Sequence, residues 1–504
     1  MELMRKRIGS YANKITDVFY TEQVTEIIVP DTNPDYENTI SVFATCKLNE
    51  KSLLSGNIKI NGQIFLTIHY SSNASECAYT INYTDSFSHT EKCVNIDPED
   101  KLICSTEVVG AEISVINSRK IRLTTKLCSR YQIFHLYNTE IIEDICEDIG
   151  EGIKTLTGTS LISACVDITE KQLNISEEIH LNNAESSLSY RIVRWNSNWI
   201  INDKKVMQNR VMLRGHIEID VYSTPEHEFI MTCKRYTIPF SQIIDCKNSF
   251  DEDIIECYFK QTHCNIKLKD KEDGVVLSCD CFADAVIFSE RKINLKYLQD
   301  AYSTEYALDC KNISYTFNEQ SEIVSKEYCI EGRIDFKDFI NQIIDCSATT
   351  SYKKSTDNTM INIYVSANII YLDNSNCISN VGGNFEYSID VDPQLLDYSI
   401  EIIPESIQAT IDPSGILLTN KGKCSYKTIT VKEVSTMVSC SIDKTKKNIK
   451  NRKANLIIRS VNEEETVWSI AKQYSTSIDS IISANELTDG ILTKGKLLMI
   501  PLFK

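Results

Sequence analysis

Three segments of this chain alternate apolar with polar residues, and they recur roughly 150 residues apart. The segments are 58–70, 211–222 and 361–371. Each ends in a tyrosine, and these residues, Tyr70, Tyr222 and Tyr371, lie 152 and 149 residues apart. Alternation with a period of two is typical of a β-strand with one buried face. Because the repeat is too long for a solenoid unit, it predicts three tandem domains.

Each copy of the repeat also has a shorter apolar run before the long segment and a hairpin pattern after it. The shorter runs begin at Ile40, Ile192 and Ile344, and the hairpin patterns fall at 113–123, 266–277 and 407–418. These stretches are rich in Ile, Val, Thr, Tyr and Phe, which suit a pleated surface. We therefore predict a mainly β chain made of antiparallel sandwich-like or barrel-like modules. The predicted modules span residues 1–155, 156–305 and 306–443.

The composition limits what such modules can do. Of 504 residues, 42% are hydrophobic and 24% are charged, as in globular proteins. The net charge of -17 opposes binding to a polyphosphate backbone, so we exclude nucleic acid as a partner. We expect no transmembrane helix and no secretory signal, because no long apolar run is present. We interpret the 19 cysteines as reduced thiols on half-buried strands, the alternative being that some cross-link in an oxidised coat-like assembly.

The pattern changes after the third module. Residues 444–453 contain six Lys or Arg and no hydrophobic period, so we interpret them as a flexible basic linker that could touch an anionic membrane surface. Residues 454–504 predict a small βααβ unit with a strand, two short helices and a closing strand. One helix face carries Val467, Ile470, Ala471 and Tyr474. Thr466 is placed to cap that helix.

The last fifty residues resemble a LysM domain. The resemblance rests on Glu464–Tyr474 and on the spacing of later positions. Those positions are Ile482, Asn485, Leu492, Gly495, Leu497, Ile500 and Pro501. The three upstream modules are similar to the SPOCS domains of spore-coat proteins, in which an extended strand runs into Gly-x-Ile and closes on a tyrosine. The segments that end at Tyr70 and Tyr222 match this pattern, and the segment that ends at Tyr371 matches it more loosely.

The resemblance implies a non-catalytic morphogenetic adaptor of spore-coat assembly. Such a protein is made in the mother-cell cytoplasm and then reaches the forespore surface and the spore coat. The resemblance further implies that the LysM domain binds the ATPase forming the basement layer of the coat. The SPOCS modules then help to localise other coat proteins, and the basic linker could contact the outer forespore membrane. The alternative is a protein of the cell wall or spore cortex whose LysM domain binds the N-acetylglucosamine chains of peptidoglycan.

One departure from the LysM pattern bears on these alternatives. Glycan-binding LysM domains usually carry Gly-Asp before the capping threonine, whereas this chain has Glu464-Glu465, which removes backbone freedom and adds charge. Trp468 lies about 100° round the helix from the start of the inward stripe, so it either faces a partner or caps the small core. We expect Trp468 and Leu456 to bind the partner protein. In the glycan alternative, the binding residues are Glu465, Thr466, Asn485 and Leu487.

The sequence offers little for metal binding or catalysis. His263 and Cys264 fall opposite Cys279 and Cys281 in a hairpin pattern, but alternation places both later cysteines on one face, where strand cysteines are usually inert. Carboxylates between 251 and 256 could resemble the two catalytic carboxylates of a glycosidase, yet no catalytic motif accompanies them. We therefore predict no catalytic residue, no metal site and no cofactor.

Overall fold

The computed structural model shows a chain built mostly from β-strands, with several sheets and a small α/β unit at 455–502. It describes residues 2–54, 56–72, 75–146, 152–181, 190–225, 231–271, 274–335, 340–374, 378–413, 415–448, 455–487 and 491–502. Within these ranges no helix is long and apolar enough to cross a membrane. The predicted mainly β fold class is confirmed.

The long strands form three successive groups of six, which we call modules 1, 2 and 3. Module 1 consists of β1 (Glu2–Ile28), β2 (Asn38–Leu54), β3 (Asn57–Ser72), β4 (Ser75–Lys92), β5 (Lys101–Asn117) and β6 (Lys120–Cys146). Module 2 consists of β7 (Ile153–His180), β8 (Tyr190–Met207), β9 (Arg210–Pro225), β10 (Thr232–Asp245), β11 (Ile254–Lys271) and β12 (Gly274–Ser303). Module 3 consists of β13 (Tyr306–Asp335), β14 (Ile340–Lys354), β15 (Met360–Asp373), β16 (Ile378–Asp390), β17 (Leu395–Asp412) and β18 (Gly415–Lys447). The remaining elements are β19 (Leu456–Ser460), α1 (Val467–Tyr474), α2 (Ile478–Ala484) and β20 (Leu497–Pro501).

Each module folds into two antiparallel three-stranded arrangements with the same strand order. In module 1 the orders are β1-β6-β5 and β2-β3-β4. Module 2 repeats them as β7-β12-β11 and β8-β9-β10, and module 3 as β13-β18-β17 and β14-β15-β16. A pair between Asn318 and Ser163 joins the first arrangements of modules 2 and 3 into one six-stranded sheet. Since buried side chains from both arrangements share one core, as in module 1, each module is a β-sandwich.

The glycine of the alternating repeat has a packing reason. Gly62 pairs with Phe87 across β3 and β4, and Gly215 pairs with Phe240 across β9 and β10. A Cβ atom on Gly215 would lie 2.0 Å from a backbone oxygen of β8 and 2.8 Å from the Phe240 ring. The same addition at Gly62 would lie 2.5 Å from the Phe87 ring. The phenylalanine on the neighbouring strand therefore packs where any larger residue would clash.

The three modules pack against one another through shared apolar clusters and through polar contacts. Arg194 of module 2 makes two hydrogen bonds of 2.8 Å to the carboxylate of Asp345 in module 3, and both side chains are buried. Modules 1 and 2 meet where Nε2 of His69 lies 3.1 Å from a backbone carbonyl oxygen of β8. Between modules 1 and 3, Arg130 donates to the carbonyl oxygen of Tyr352 at 2.6 Å. The modules therefore form one packed body.

The last strand of module 3 runs into the predicted linker. Because β18 ends at Lys447 and pairs there with the start of β13, residues 444–447 are strand and the prediction of a linker was wrong for them. Asn448 then donates from its side chain to the carbonyl oxygens of Ser303 and Tyr306, at 2.8 and 2.7 Å. Residues 449–453 of the predicted linker lie outside the described residues.

The predicted βααβ unit is present in residues 455–487 and 491–502. β19 and β20 pair antiparallel, and both helices contribute to the core beneath them. Strand alternation decides the faces, since Leu498 and Ile500 are buried whereas Leu497 and Met499 are exposed. Tyr302 of β12 belongs to the same buried cluster. This small unit therefore completes its core against module 2.

The 17 cysteines whose side chains are described are all thiols. Ten of them are buried, and burial raises the pKa of Cys46 to about 12 and that of Cys424 to about 11. These thiols stay protonated at neutral pH. The Sγ atoms of Cys310 and Cys440 lie 2.7 Å from each other across β13 and β18.

Candidate functional site

The first helix of the βααβ unit begins where Thr466 caps it. The Thr466 hydroxyl accepts a hydrogen bond from the Ser469 amide at 3.1 Å, and the Ser469 hydroxyl accepts one from the Thr466 amide at 3.0 Å. These two bonds form a capping box. The helix ends at Tyr474, after which Ser475 adopts a left-handed conformation with φ of 49°. Thr466 thus holds a helix end, and glycan binding by it stays a prediction.

The loop between β19 and α1 is braced by Glu465. Its carboxylate accepts hydrogen bonds from Arg459 at 2.5 and 2.6 Å and from the Asn462 amide at 2.7 Å. The pKa of Glu465 is lowered, first by the Asn462 amide and then by the Arg459 guanidinium. Glu464 has φ of 65°, in the left-handed region that favours glycine. The loop therefore keeps the backbone shape that a glycine usually provides, with a strained residue in its place.

Asn485 joins the end of α2 to β20. Its side-chain nitrogen donates to the carbonyl oxygens of Ile481 and Met499 at 2.7 and 2.6 Å, and its side-chain oxygen accepts from the Met499 amide at 2.7 Å. Leu487 is half-buried against the core of the unit. These two predicted glycan-binding residues therefore have structural contacts of their own, and their binding to glycan also stays a prediction.

The outer face of the two-stranded sheet is apolar. We call this surface the hairpin face; it consists of Leu456, Ile458, Leu497 and Met499, which are 45%, 60%, 68% and 39% exposed. The strand register places Ile458 opposite Met499. Contiguous exposed apolar side chains often mark an interaction surface. Leu456, predicted from the sequence as a partner-binding residue, belongs to this face, and its role stays a prediction.

Trp468 packs against module 2. Its indole Nε1 donates to Oδ2 of Asp300 at 2.9 Å, and its ring meets the Tyr302 ring in an edge arrangement with centroids 5.0 Å apart. One helical turn later, Nζ of Lys472 lies 2.5 Å from Oδ1 of Asp300. The Tyr302 hydroxyl donates to the carbonyl oxygen of Thr476 at 2.7 Å. Because burial raises the pKa of Tyr302 to about 12, this hydroxyl remains a donor at neutral pH.

Sequence reasoning missed Asp300 and Tyr302. They follow an irregularity in the pairing of β12 with β7, at Leu298 and Asp300, near the end of a long strand. Nothing in the local pattern distinguishes this strand end from others. Only the packing of the βααβ unit on module 2 brings Asp300 to Trp468, 168 residues later in the chain.

Several of the residues considered for zinc and for carboxylate catalysis are engaged in packing or in an ion pair. The thiols of Cys264 and Cys281 lie 3.1 Å apart in a buried core. His263 is buried, and burial lowers its pKa to about 4. Glu256 pairs with the buried ammonium of Lys427 at 2.7 Å.

A different group of possible metal ligands lies in module 1. Asp97, Asp100 and His135 place one ligand atom each within 4.8 Å of one another. The ammonium of Lys14 already lies 2.7 Å from Asp97 and 3.2 Å from Asp100. A cation of the chain itself therefore already pairs with both carboxylates of this group.

Two family models match the chain. Residues 189–269 match the model described as SipL, SPOCS domain, and they cover β8 to β10 and most of β11. Residues 460–501 match the model of the LysM domain, which covers both helices and β20. No curated protein and no solved structure matches the chain.

The SPOCS match falls on one of three modules that share a strand order, and the LysM match falls on the βααβ unit. SPOCS and LysM are families of non-catalytic domains. Together they fit a sporulation protein with a domain of the peptidoglycan-binding type. The chain is therefore similar to SipL-like proteins, with a SPOCS domain in module 2 and a LysM domain after module 3.

Proposed function

We propose that this chain is a non-catalytic adaptor of spore-coat assembly whose LysM domain binds the ATPase of the coat basement layer. The observation that carries the proposal is the hairpin face, which exposes four large apolar side chains on a domain of fewer than fifty described residues. In this proposal the three packed modules help to localise other coat proteins. The protein moves from the mother-cell cytoplasm to the forespore surface, where it becomes part of the coat.

The chemistry of the LysM surface supports a protein partner. Covering an apolar face with another protein removes it from water and lowers the free energy of the system. Large side chains near the centre of such contacts often dominate the binding energy. The polar groups that would bind a sugar are already used, since Glu465 is paired with Arg459 and Asn485 is bonded to Met499. On a polymerised surface, several linked contacts hold each adaptor by avidity even where a single contact is weak.

The test uses the full chain and the purified coat ATPase. Leu456→Glu places a charge in the hairpin face, and we expect it to weaken binding at least tenfold, because an apolar contact would have to bury that charge. The matched control is Ile254→Glu, because Ile254 on β11 is exposed to the same extent, 45%. Equal affinities of wild type and Leu456→Glu would contradict a role for the hairpin face, and absence of binding by wild type would contradict the partner.

Imaging tests the location. A fluorescent fusion of the full chain in sporulating cells is expected to form a ring round the forespore. A signal that stays diffuse in the mother cell throughout sporulation would contradict the proposed place of action.

A second function is peptidoglycan binding, which the LysM family match favours. Sedimentation of the full chain with insoluble peptidoglycan distinguishes the two functions. Retention by peptidoglycan together with no capture of the coat ATPase would replace the adaptor by a wall or cortex protein. Loss of that retention in Glu465→Ala, with the loop still folded, would assign the glycan to the β19–α1 loop.

A further inference from the structure

One face of the LysM domain is occupied by the chain's own module 2. We call it the Trp468 face; it consists of Trp468, Lys472 and the carbonyl group of Thr476. The occupant is the end of β12, Asp300 and Tyr302. This face lies apart from the hairpin face, whose side chains are exposed. The LysM domain therefore has one covered and one open surface.

Asp300 and Tyr302 satisfy every recognition feature of the Trp468 face. One oxygen of the Asp300 carboxylate accepts the indole N–H, and the other pairs with the ammonium of Lys472. The Tyr302 ring contacts the indole edge, and its hydroxyl donates to the carbonyl oxygen of Thr476. Tyr302 is only 4% exposed, so the face buries an aromatic ring and holds a carboxylate at its margin. The two occupying residues are separated by one residue in an extended strand.

We propose that the Trp468 face is a recognition surface for an extended segment with a carboxylate two residues before an aromatic ring. Asp300–Tyr302 occupies it in cis, and a protein partner that uses Trp468 must offer the same chemistry in trans and displace this segment. The proposal rests on the proposed function for the identity of that partner. It makes the availability of Trp468 depend on the release of the LysM domain from module 2.

The connection between the modules and the LysM domain favours cis occupancy. Asn448 holds the end of β18 beside Ser303, next to the occupying segment, and β19 starts at Leu456. A connection this short gives the cis segment an effective concentration on the order of millimolar. The apparent affinity of a trans partner equals its intrinsic affinity multiplied by the fraction of molecules in which the face is open. Variants of Asp300 and Tyr302 that open the face without changing it should therefore increase the affinity of a trans partner.

The first experiment measures binding of a fluorescein-labelled peptide that copies residues 297–305. The proteins are the full-length wild type, Asp300→Asn with Tyr302→Leu, and the matched control Asp309→Asn, which removes a carboxylate charge from an exposed position on β13. We expect the double variant to bind the peptide at least tenfold more tightly than wild type and the control to behave as wild type. A peptide in which asparagine and leucine replace the aspartate and tyrosine should not bind.

Hydrogen exchange of the amides in α1 shows whether the face has opened. If exchange rises in the double variant but the peptide still binds no better than to wild type, the proposed recognition chemistry is refuted. If exchange does not rise, Asp300 and Tyr302 do not hold the LysM domain and the proposal is also refuted.

A charge exchange keeps the test valid if Tyr302→Leu disturbs the core. Lys472→Glu places two carboxylates together and should open the face. Asp300→Lys combined with Lys472→Glu restores the ion pair and should close the face in part, because the introduced lysine cannot accept the indole N–H of Trp468. Exchange in the combined variant as fast as in Lys472→Glu alone would count against the pairing of Asp300 with Lys472 as a determinant of the closed state.

Titration with the coat ATPase separates this inference from the proposed function. Tighter ATPase binding by the double variant Asp300→Asn with Tyr302→Leu, with competition by the peptide, supports both. Peptide binding without any ATPase binding refutes the proposed partner and leaves the recognition surface intact. ATPase binding that is equal in closed and opened proteins, and unaffected by the peptide, refutes the Trp468 face as a partner site.

Discussion

Replacement of Asn485 tests whether this residue holds the LysM fold or a glycan. Asn485→Ala removes three hydrogen bonds, two to Met499 and one to Ile481. Each such bond contributes about 1 kcal/mol net, and together they would contribute about 3 kcal/mol. Because the side chain is half-buried, water replaces part of this, and we expect a loss of about 2 kcal/mol in the free energy of local unfolding.

The assay is hydrogen exchange of the β20 amides in the full chain. A loss of about 2 kcal/mol raises the equilibrium population of the open form about thirtyfold, so these amides should exchange about thirtyfold faster. Asn61→Ala is the matched control, because it makes the same chemical change in module 1, where Asn61 donates to Glu50. Exchange in Asn485→Ala within twofold of wild type would refute the structural role and return Asn485 to the candidate glycan residues.

Three further predictions concern strain, pH and redox state. Glu464→Gly relieves a positive φ of 65° and should stabilise the LysM domain by about 0.5 to 1 kcal/mol, measured by the same exchange; faster exchange would contradict it. Asp284 is 2% exposed, and burial raises its pKa to about 6. The folded protein therefore binds the Asp284 proton more tightly than the unfolded chain does. As a result, the free energy of unfolding falls as pH rises from about 4 to about 6. Asp284→Asn should remove this loss of up to about 3 kcal/mol. In denaturant unfolding at several pH values, the free energy of unfolding of the variant should rise relative to that of wild type across this window. A difference between the two proteins that does not change with pH would contradict the prediction. Cys310 and Cys440 should be oxidised to a disulfide by diamide before other thiol pairs, because the Sγ atoms are 2.7 Å apart and Cys310 is half-exposed, and peptide mass spectrometry should find the loss of two hydrogens there first.

The alternating pattern predicted the strands because it reflects a local rule. In β9, side chains one position apart point to opposite faces, and Val211, Leu213, Ile217 and Ile219 are all buried as that rule requires. The repeat predicted sandwich-like or barrel-like modules in the same way, since each copy contains the same apolar faces, and only the structure decided for the sandwich. The alternating pattern does not specify which strands pair. Only the structure shows the order β1-β6-β5, in which the first and last strands of a module are neighbours.

The candidate site was predicted unevenly for a related reason. The capping role of Thr466 follows from residues three positions apart, and the sequence predicted it. The bonds of Asn485 to Met499 join residues 14 positions apart, and the pattern did not assign them. The linker prediction failed at 444–447 because β18 continues through these residues to Lys447, which pairs with Tyr306 on β13. The local sequence does not show a strand partner that lies so far away in the chain.

The amino-acid sequence by itself determined the β-modules, the βααβ unit and its inward stripe, because periodicity and capping act between residues close in the chain. The tertiary structure alone decided that the LysM domain is seated on module 2 and that Trp468 meets Asp300 and Tyr302. Such a contact depends on how two separately folded surfaces fit together. The local sequence pattern of one surface contains no information about the shape of the other.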